Sequence, residues 1–317
     1  PTPTPHPHPK VERYDPEAGL WEEVAGMGSK RDKLGVAAVG DMLYAAGGHN
    51  GDGYLASVER ESPPFEPVWD PPIGATIPVF CVCSSAGFDP EVGAWEYVAS
   101  MRSTRNGPGV AVLDGKLYAV GGYDGKDDLA SVERFDPLVG VWQEVAAMRS
   151  KRGGLPGVAV LGGLLYAFGG YNGSHFLSSV ERFNPEIGAW DEVASMGSRR
   201  NCLGVAVLGG KLYAVGGSNG DGDLSTVERF NPEAGLTSAS GVSGGAWEPV
   251  APMHSKRGYL GVAVLGGKLY AVGGYNGNGD YLASVERFDP LAGGGTGAWE
   301  EVAGMKSERG FLGVAVL

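Results

Sequence analysis

Side chains with metal-binding or nucleophilic chemistry are few in this sequence and widely separated. His49, His175 and His254 lie far apart in the chain. Cys81 and Cys83 form a C-x-C pair with no second pair nearby. A zinc or copper site needs three or four ligands at a recognisable spacing, and none is present. The sequence also lacks a G-x-S-x-G, a P-loop and an H-E-x-x-H motif. We therefore predict a protein that is not an enzyme and uses neither a metal nor a cofactor.

A second set of side chains recurs after double glycines and suits recognition better than catalysis. Five double glycines follow apolar runs, and the residues after them are His49, Tyr123, Tyr171, Ser218 and Tyr275. The next residues are Asn50, Asp124, Asn172, Asn219 and Asn276. Tyrosine offers a large contact area, few rotatable bonds and a polar tip. Asn-Gly and Asp-Gly also form turns for conformational reasons alone, so a structural role stays open at each position. For the set as a whole we favour recognition.

Composition and charge exclude several classes of partner. The 317 residues carry a net charge of −12. Such a chain repels phosphates at long range, so we expect no nucleic-acid partner and no membrane partner. Three cysteines are too few for a disulfide framework and indicate a reducing compartment, which predicts a cytoplasmic protein.

The elements that must position these residues are short strands in a repeat array. The text V-E-R occurs six times, and Trp95, Trp142 and Trp190 are 47 and 48 residues apart. The unit that begins at Arg152 contains four predicted strands, named a to d: 157–161, 164–168, 179–183 and 189–193. No unit offers ten residues of helical periodicity free of Gly or Pro. Four strands per repeat predict an all-β propeller, whose d–a and b–c connections emerge on one face.

The repeated motifs resemble the kelch repeat. They read R-x(3–4)-G-V-A-V-L, L-Y-A-V-G-G-Y, S-V-E-R-F-D-P and W-x-E-V-A-x-M, and they cover nearly all of residues 11–317. The chain looks most like the kelch domains of BTB–kelch proteins, which present substrates to cullin-type ubiquitin ligases. This resemblance implies a protein-interaction module that recognises a protein or peptide segment on the d–a/b–c face. A BTB region preceding these residues would connect the chain to the ligase scaffold.

Other kelch proteins suggest two alternatives. Some bind actin and the cytoskeleton, which makes a structural role the first alternative. Galactose oxidase, a kelch-like propeller that holds copper through tyrosines and histidines, makes an oxidase the remote alternative. This chain shows no matching signature outside its repeats.

The resemblance also implies where a partner would bind. In kelch adaptors, the positions after the double glycine and beside the repeated arginine contact the bound peptide. The matching candidates here are Tyr123, Tyr171, Tyr275, Phe176, Asn106, Arg105, Lys33, His49 and Asn50. The best-known pocket of the family is basic. Two residues past the repeated arginines, however, this chain has Lys33, Gly107, Gly154, Cys202, Tyr259 and Phe311, of which one is basic. We therefore predict a neutral, aromatic-lined site.

The repeated arginines and the glutamates of V-E-R have a second interpretation. Six copies in register indicate an element of the fold, with ion pairing between strands or blades, because functional residues usually differ from one repeat to the next.

Two departures from the repeat shape the predicted fold. Strands a, c and d each occur six times, but strand b occurs five times. We predict a six-bladed propeller with five complete blades and a sixth blade, shared by the two termini, that lacks strand b. Residues 1–10 form a Pro-rich tail in the place of that strand, and residues 11–317 form the propeller. Residues 61–87 interrupt the first unit as a disordered insert, and Gly/Ser-rich loops occur at 236–245 and 293–297.

Overall fold

The regular structure is built almost entirely of short strands. The computed structural model describes residues 11–24, 26–40, 42–62, 79–82, 94–232 and 245–316. Within these ranges the one helical element is the single-turn 3-10 helix Gly293–Gly295, in a connection between two strands. No helix in these ranges is long and apolar enough to cross a membrane.

The strands follow one another in a regular order. The chain starts with β1 (Val11–Asp15) and β2 (Leu20–Val24). The first blade contains β3 (Gly35–Val39), β4 (Met42–Ala46), β5 (Val58–Ser62) and β7 (Ala94–Val98), with β6 (Val79–Val82) between the last two in the chain. The second blade contains β8 (Gly109–Leu113), β9 (Lys116–Val120), β10 (Val132–Asp136) and β11 (Val141–Val145).

The remaining strands repeat this pattern. The third blade contains β12 (Gly157–Leu161), β13 (Leu164–Phe168), β14 (Val180–Asn184) and β15 (Ala189–Val193). The fourth contains β16 (Gly204–Leu208), β17 (Lys211–Val215), β18 (Val227–Asn231) and β19 (Ala246–Val250). The fifth contains β20 (Gly261–Leu265), β21 (Lys268–Val272), β22 (Val285–Asp289) and β23 (Ala298–Val302), and β24 (Gly313–Val316) ends the chain.

Each blade is an antiparallel meander because its turns and strand patterns agree. In the third blade, Gly162 and Gly163 both have positive φ, as the two-residue hairpin between β12 and β13 requires. Strand b of this blade is covered on both faces, since Leu165 and Ala167 are buried on one side, and Tyr166 and Phe168 on the other. A strand buried on both faces reads as a continuous apolar run, which explains the repeated L-Y-A-V text.

Neighbouring blades are held together by a tryptophan on strand d. The Trp190 ring packs on Phe183 of its own blade, with ring centroids 5.3 Å apart. Its indole N–H donates to the carbonyl oxygen of Ala146, which belongs to the preceding blade, at 2.8 Å. The equivalent bonds join Trp142 to Ala99, Trp247 to Ala194, Trp299 to Ala251 and Trp21 to Ala303. The hydrophobic core therefore lies largely between neighbouring blades.

The predicted fold class needs a correction at its sixth blade. The all-β kelch propeller is confirmed, but five blades consist of kelch units, not six. The remaining sheet, here called the composite sheet, has the order β2–β1–β6–β24. It does not lack a strand in the b position, because β6 pairs antiparallel with both β1 and β24. The sequence could not reveal this strand, because it comes from the non-repeat insert and has no kelch motif.

The insert is consequently not a disordered excursion throughout. Glu61 and Ser62 continue β5, and Val79–Val82 is β6. Residues 63–78 and 83–87 lie outside the described residues, as do the Pro-rich tail 1–10 and residues 236–244 of the predicted Gly/Ser-rich loop. The division into tail, propeller and insert stays a prediction.

Candidate functional site

The repeated arginines lie inside the blades and organise the loops of the d–a/b–c face. The Arg105 side chain is fully buried. It donates to the carbonyl oxygens of Gly121 at 2.7 Å and Ser131 at 3.0 Å, and to the Glu133 carboxylate at 3.0 Å. Glu133 in turn accepts the backbone N–H of Arg102 at 2.6 Å. Burial lowers the pKa of the Arg105 guanidinium, and the Glu133 carboxylate opposes this effect. This network fastens the d–a loop to strands b and c of the same blade.

The same pair recurs around the molecule. The pairs are Arg31–Glu59, Arg105–Glu133, Arg152–Glu181, Arg200–Glu228, Arg257–Glu286 and Arg309–Glu12. In Arg309–Glu12, residues near opposite ends of the described chain meet. The interpretation of the repeated arginines and glutamates as fold elements therefore matches the geometry.

Backbone pairing brings the two sets of predicted contact positions together. The Tyr171 N–H donates to the Gly153 carbonyl at 2.9 Å, and the Gly153 N–H donates to the Tyr171 carbonyl at 2.7 Å. Tyr171 also forms a bridge with Phe176 across the b–c hairpin. Asn106, Tyr123 and Asp128 repeat this arrangement in the second blade. The position after the repeated arginine and the position after the double glycine are thus neighbours.

Backbone hydrogen bonds also link the d–a loops of different blades to one another. Gly107 N–H donates to the Lys33 carbonyl at 2.8 Å, Cys202 N–H to the Gly154 carbonyl at 3.2 Å, and Tyr259 N–H to the Cys202 carbonyl at 2.9 Å. Lys33, Cys202 and Tyr259 have positive φ, which is uncommon outside glycine. These bonds fix the loops of different blades relative to one another.

The loops surround a cavity of about 330 Å³ on the d–a/b–c face. Its walls are Lys33, Asn106, Gly107, Tyr123, Asp128, Gly154, Leu155, Tyr171, Phe176, Asn201, Cys202 and Tyr259. The volume is in the range of small-ligand pockets and also fits one or two side chains of a peptide. Five of the nine predicted contact residues are in this wall: Lys33, Asn106, Tyr123, Tyr171 and Phe176.

Aromatic rings form much of the cavity wall. Tyr171 and Phe176 meet edge to face with centroids 5.6 Å apart. Tyr123 meets Tyr54 edge to face at 5.5 Å. Tyr275 pairs with Tyr281 at 5.7 Å, but it is not among the residues that line the cavity. Of the three tyrosines among the predicted contact residues, Tyr123 and Tyr171 therefore line the cavity and Tyr275 does not.

Charge at the cavity is mixed. The Lys33 ammonium lies 4.8 Å from the centroid of Phe311 and 5.9 Å from that of Tyr259. These distances allow cation–π attraction. Asp128 supplies a half-buried carboxylate, and burial raises the pKa of that carboxyl. The predicted neutral site thus has one cation and one carboxylate in its wall.

Three predicted contact residues serve their own loops instead. Arg105 is fully buried and bound to its blade, so it lies beneath the face and is unavailable to a partner. The Asn50 side-chain oxygen accepts the N–H groups of Asp52 and Gly53 at 2.9 and 2.8 Å, as a turn-forming asparagine does. The His49 ring accepts the Gly51 N–H at 3.1 Å.

Sequence reasoning missed Asp128, Leu155 and Asn201 as wall residues. Asn201 follows a repeated arginine, as Asn106 does, so the same rule would have selected it. Leu155 is an extra residue, because the spacing from Arg152 to Gly157 is one longer than in the other units. Asp128 has no sequence signal, since its position holds Phe176 in the next blade.

The described residues hold no group of three His, Cys, Asp or Glu side chains arranged for a metal ion. Cys202 lines the cavity, but its thiol is buried and donates to the Gly154 carbonyl at 3.0 Å. Burial raises the pKa of this thiol to about 12, so it is not a nucleophile at neutral pH.

Comparison with protein families gives a specific match. The family profile described as Kelch motif matches residues 31–60, 104–149, 152–197, 199–254 and 256–306, well over half of the chain. Each matched range begins at or beside a repeated arginine.

Curated proteins and a solved structure are also similar to this chain. The chain is 32% identical to Kelch-like protein 36 of Bos taurus over 145 residues, which is 38% of this chain and 23% of that protein. It is 52% identical to Kelch-like protein 5 of Homo sapiens over 48 residues, which is 15% of this chain and 6% of that protein. The chain therefore matches less than a quarter of the length of these relatives. The solved structure of YjhT has a TM-score of 0.66, with 14% identity over 91% of this chain and 88% of that one. At this identity the likeness concerns the fold alone.

Proposed function

This chain belongs to the kelch-repeat family, and on that premise we propose that it binds a segment of a partner protein on the d–a/b–c face. The observation that carries the proposal is the cavity among Tyr123, Tyr171 and Phe176. The few residues that carry most of the binding energy in protein interfaces are enriched in tyrosine, which buries a large area with few rotatable bonds. The loops that hold them are fixed by backbone hydrogen bonds, so little ordering is needed on binding.

The binding role that fits best is substrate recognition for a cullin-type ubiquitin-ligase adaptor. The similarity to Kelch-like proteins supports this proposal, as does the place of the cavity on the face that kelch adaptors use. In this proposal the scaffold contacts come from a BTB region elsewhere in the protein. The setting is the cytoplasm, where the few thiols of the chain stay reduced.

The test is a proximity-labelling experiment in cells with the intact chain and the variant Tyr123→Ala/Tyr171→Ala. We expect the variant to lose specific partners. Tyr97→Ala is the matched control, because Tyr97 is exposed on β7 and does not line the cavity. Equal partner sets for the wild type and the double variant would contradict binding at the cavity.

The same experiment separates the ligase role from the cytoskeletal alternative. Ubiquitin-ligase components and a substrate among the Tyr123-dependent and Tyr171-dependent partners would support the adaptor role. Filamentous actin or its bundling proteins in that set would contradict it.

A further inference from the structure

Two side-chain oxygens in the cavity wall have no hydrogen-bond donor within the described protein. They are Oδ1 of Asn106 and Oδ1 of Asn201, and both atoms are buried. Asn201 as a whole is 7% exposed. A buried carbonyl oxygen without a donor costs free energy, so these oxygens are suited to accept N–H groups from a ligand.

The Asp128 carboxylate and the Asn201 amide pack against consecutive residues of one loop. A methyl group placed on Gly153 would lie 1.8 Å from Oδ1 of Asp128, and one placed on Gly154 would lie 2.5 Å from Oδ1 of Asn201. The carboxylate and the amide therefore occupy the space above two consecutive glycines of one d–a loop. Only residues without a side chain leave room for both acceptors there.

The acceptors lie among rings that can cover a flat cation. Tyr171 and Phe176 stand edge to face beside them, and Tyr123 is on the neighbouring hairpin. Aromatic faces attract guanidinium and ammonium groups when these approach within about 6 Å. A guanidinium also carries five N–H donors in one plane, so it can donate to several acceptor oxygens of one cavity at the same time.

The charges at the cavity favour a cation at this end. Burial raises the pKa of the Asp128 carboxyl, and the positive charge of Lys151 opposes this effect. A ligand cation near Asp128 would therefore stabilise the charged carboxylate further. The ammonium of Lys151 pairs with Asp127 at 3.1 Å. Lys33 lines the same cavity, but its ammonium is stacked on Phe311 and Tyr259. The whole chain carries −12, so a basic partner is also attracted at long range.

We propose that the cavity takes an arginine side chain of the partner segment, held by Asp128, Asn201 and Asn106 and covered by Tyr171 and Phe176. This inference rests on the proposed function and adds to it the chemistry of the recognised segment. The partner motif is basic at this position, which differs from the acidic peptides that a basic pocket would select.

The test uses a random peptide library displayed on phage and selected on the intact chain. We expect the enriched peptides to share an arginine, and replacement of that arginine by citrulline in a synthetic copy to weaken binding about tenfold or more. Citrulline keeps the shape and loses the charge. Asp128→Asn should weaken the same peptide about tenfold, because it removes a charge-assisted hydrogen bond. Lys33→Gln should strengthen binding, because it removes a like charge.

Asp223→Asn is the matched control. Asp223 occupies the equivalent position in the fourth blade, where its carboxylate lies over Gly258, but it does not line the cavity. Its replacement should change the peptide affinity much less than Asp128→Asn does. The enriched peptides could instead depend on Tyr123 and Tyr171 but carry acidic or uncharged residues in place of arginine. That result would overturn this inference without contradicting the proposed function. A library that yields no peptide dependent on these tyrosines would overturn both.

Discussion

At the scale of single residues, the position of a charged group relative to the blade surface separates structural roles from binding roles. Arg105 and Lys33 were both candidate contact residues, but Arg105 is buried among backbone carbonyls whereas Lys33 reaches the cavity. The two residues therefore need different tests. Replacement of Arg105 should lower the stability of the fold, whereas replacement of Lys33 should change the affinity for the partner.

Replacement of Arg105 by methionine should lower the free energy of unfolding by about 3–5 kcal/mol. It leaves the buried Glu133 carboxylate without its cation and the Gly121 and Ser131 carbonyls without a donor. Urea unfolding measures the change. The control is Arg182→Met, whose guanidinium lies 3.8 Å from Asp191 at the surface and should cost about 1 kcal/mol or less. If Arg105→Met lost peptide binding while its stability stayed unchanged, Arg105 would instead be a residue that contacts the partner.

Cys202 gives a second prediction at this scale. Its thiol pKa is raised to about 12 by burial, so at pH 8 the thiol is protonated and unreactive in the folded chain. Iodoacetamide labelling followed by peptide mass spectrometry should modify Cys202 only after unfolding in urea. Rapid labelling of Cys202 in the folded protein would show that the cavity floor opens to solvent.

At the scale of elements, the identity of strand b in the composite sheet is the least obvious feature. Val79–Val82 pairs with β1 on one side and β24 on the other, although it connects two strands of the first blade. A segment outside the repeat thus completes a neighbouring sheet. Its backbone N–H and C=O groups matter here, because a gap would leave ladder groups of β1 and β24 unpaired.

Phe80→Pro should lower the midpoint of thermal unfolding by about 5 °C or more. In the backbone register Phe80 is opposite Arg13 on β1 and Ala315 on β24, and a proline there removes a ladder N–H from a central strand. Phe80→Val keeps the N–H and serves as the control for the loss of the ring. Equal midpoints for Phe80→Pro and Phe80→Val would contradict the place of β6 in the composite sheet.

At the scale of the whole molecule, a cycle of glycine–valine contacts closes the propeller. The first residue of each strand a is a glycine, and a methyl group placed on it would meet a valine of the next strand a at 2.1–2.3 Å. The contacts are Gly35–Val110, Gly109–Val158, Gly157–Val205, Gly204–Val262, Gly261–Val314 and Gly313–Val36. The last contact joins β24 to β3 and so brings the end of the described chain back to the first blade.

Gly313→Ala should destabilise the protein as much as Gly109→Ala, by about 1–3 kcal/mol. Each added methyl group overpacks an equivalent contact between strands, and neither glycine has a positive φ that would add backbone strain. Gly53→Ala is the control, because nothing lies within 4 Å of its added methyl group and its φ is also ordinary. Differential scanning calorimetry compares the three variants. A negligible effect of Gly313→Ala alone would show that the ring is open between β24 and β3.

Local patterns were sufficient for most of the fold and for part of the site. Strand b of the third blade could be read from its apolar run, and its hairpin from Gly162 and Gly163, because period, propensity and turn chemistry act over a few residues. The repeat then placed Tyr123 and Tyr171 on one face, since equivalent positions in a propeller occupy equivalent places.

Contacts between distant parts of the chain needed the folded molecule. The insertion of β6 between β1 and β24 depends on backbone hydrogen bonds. Many different sequences can form such bonds, so no sequence motif identifies this strand. The burial of Arg105 and the missing donors of Asn106 and Asn201 depend on what packs beside them from other strands. Asp128 fits where it does only because the next blade presents Gly153, which has no side chain. The sequence alone therefore specifies the repeating blade, whereas the completed composite sheet and the chemistry of the cavity arise from packing between residues far apart in the chain.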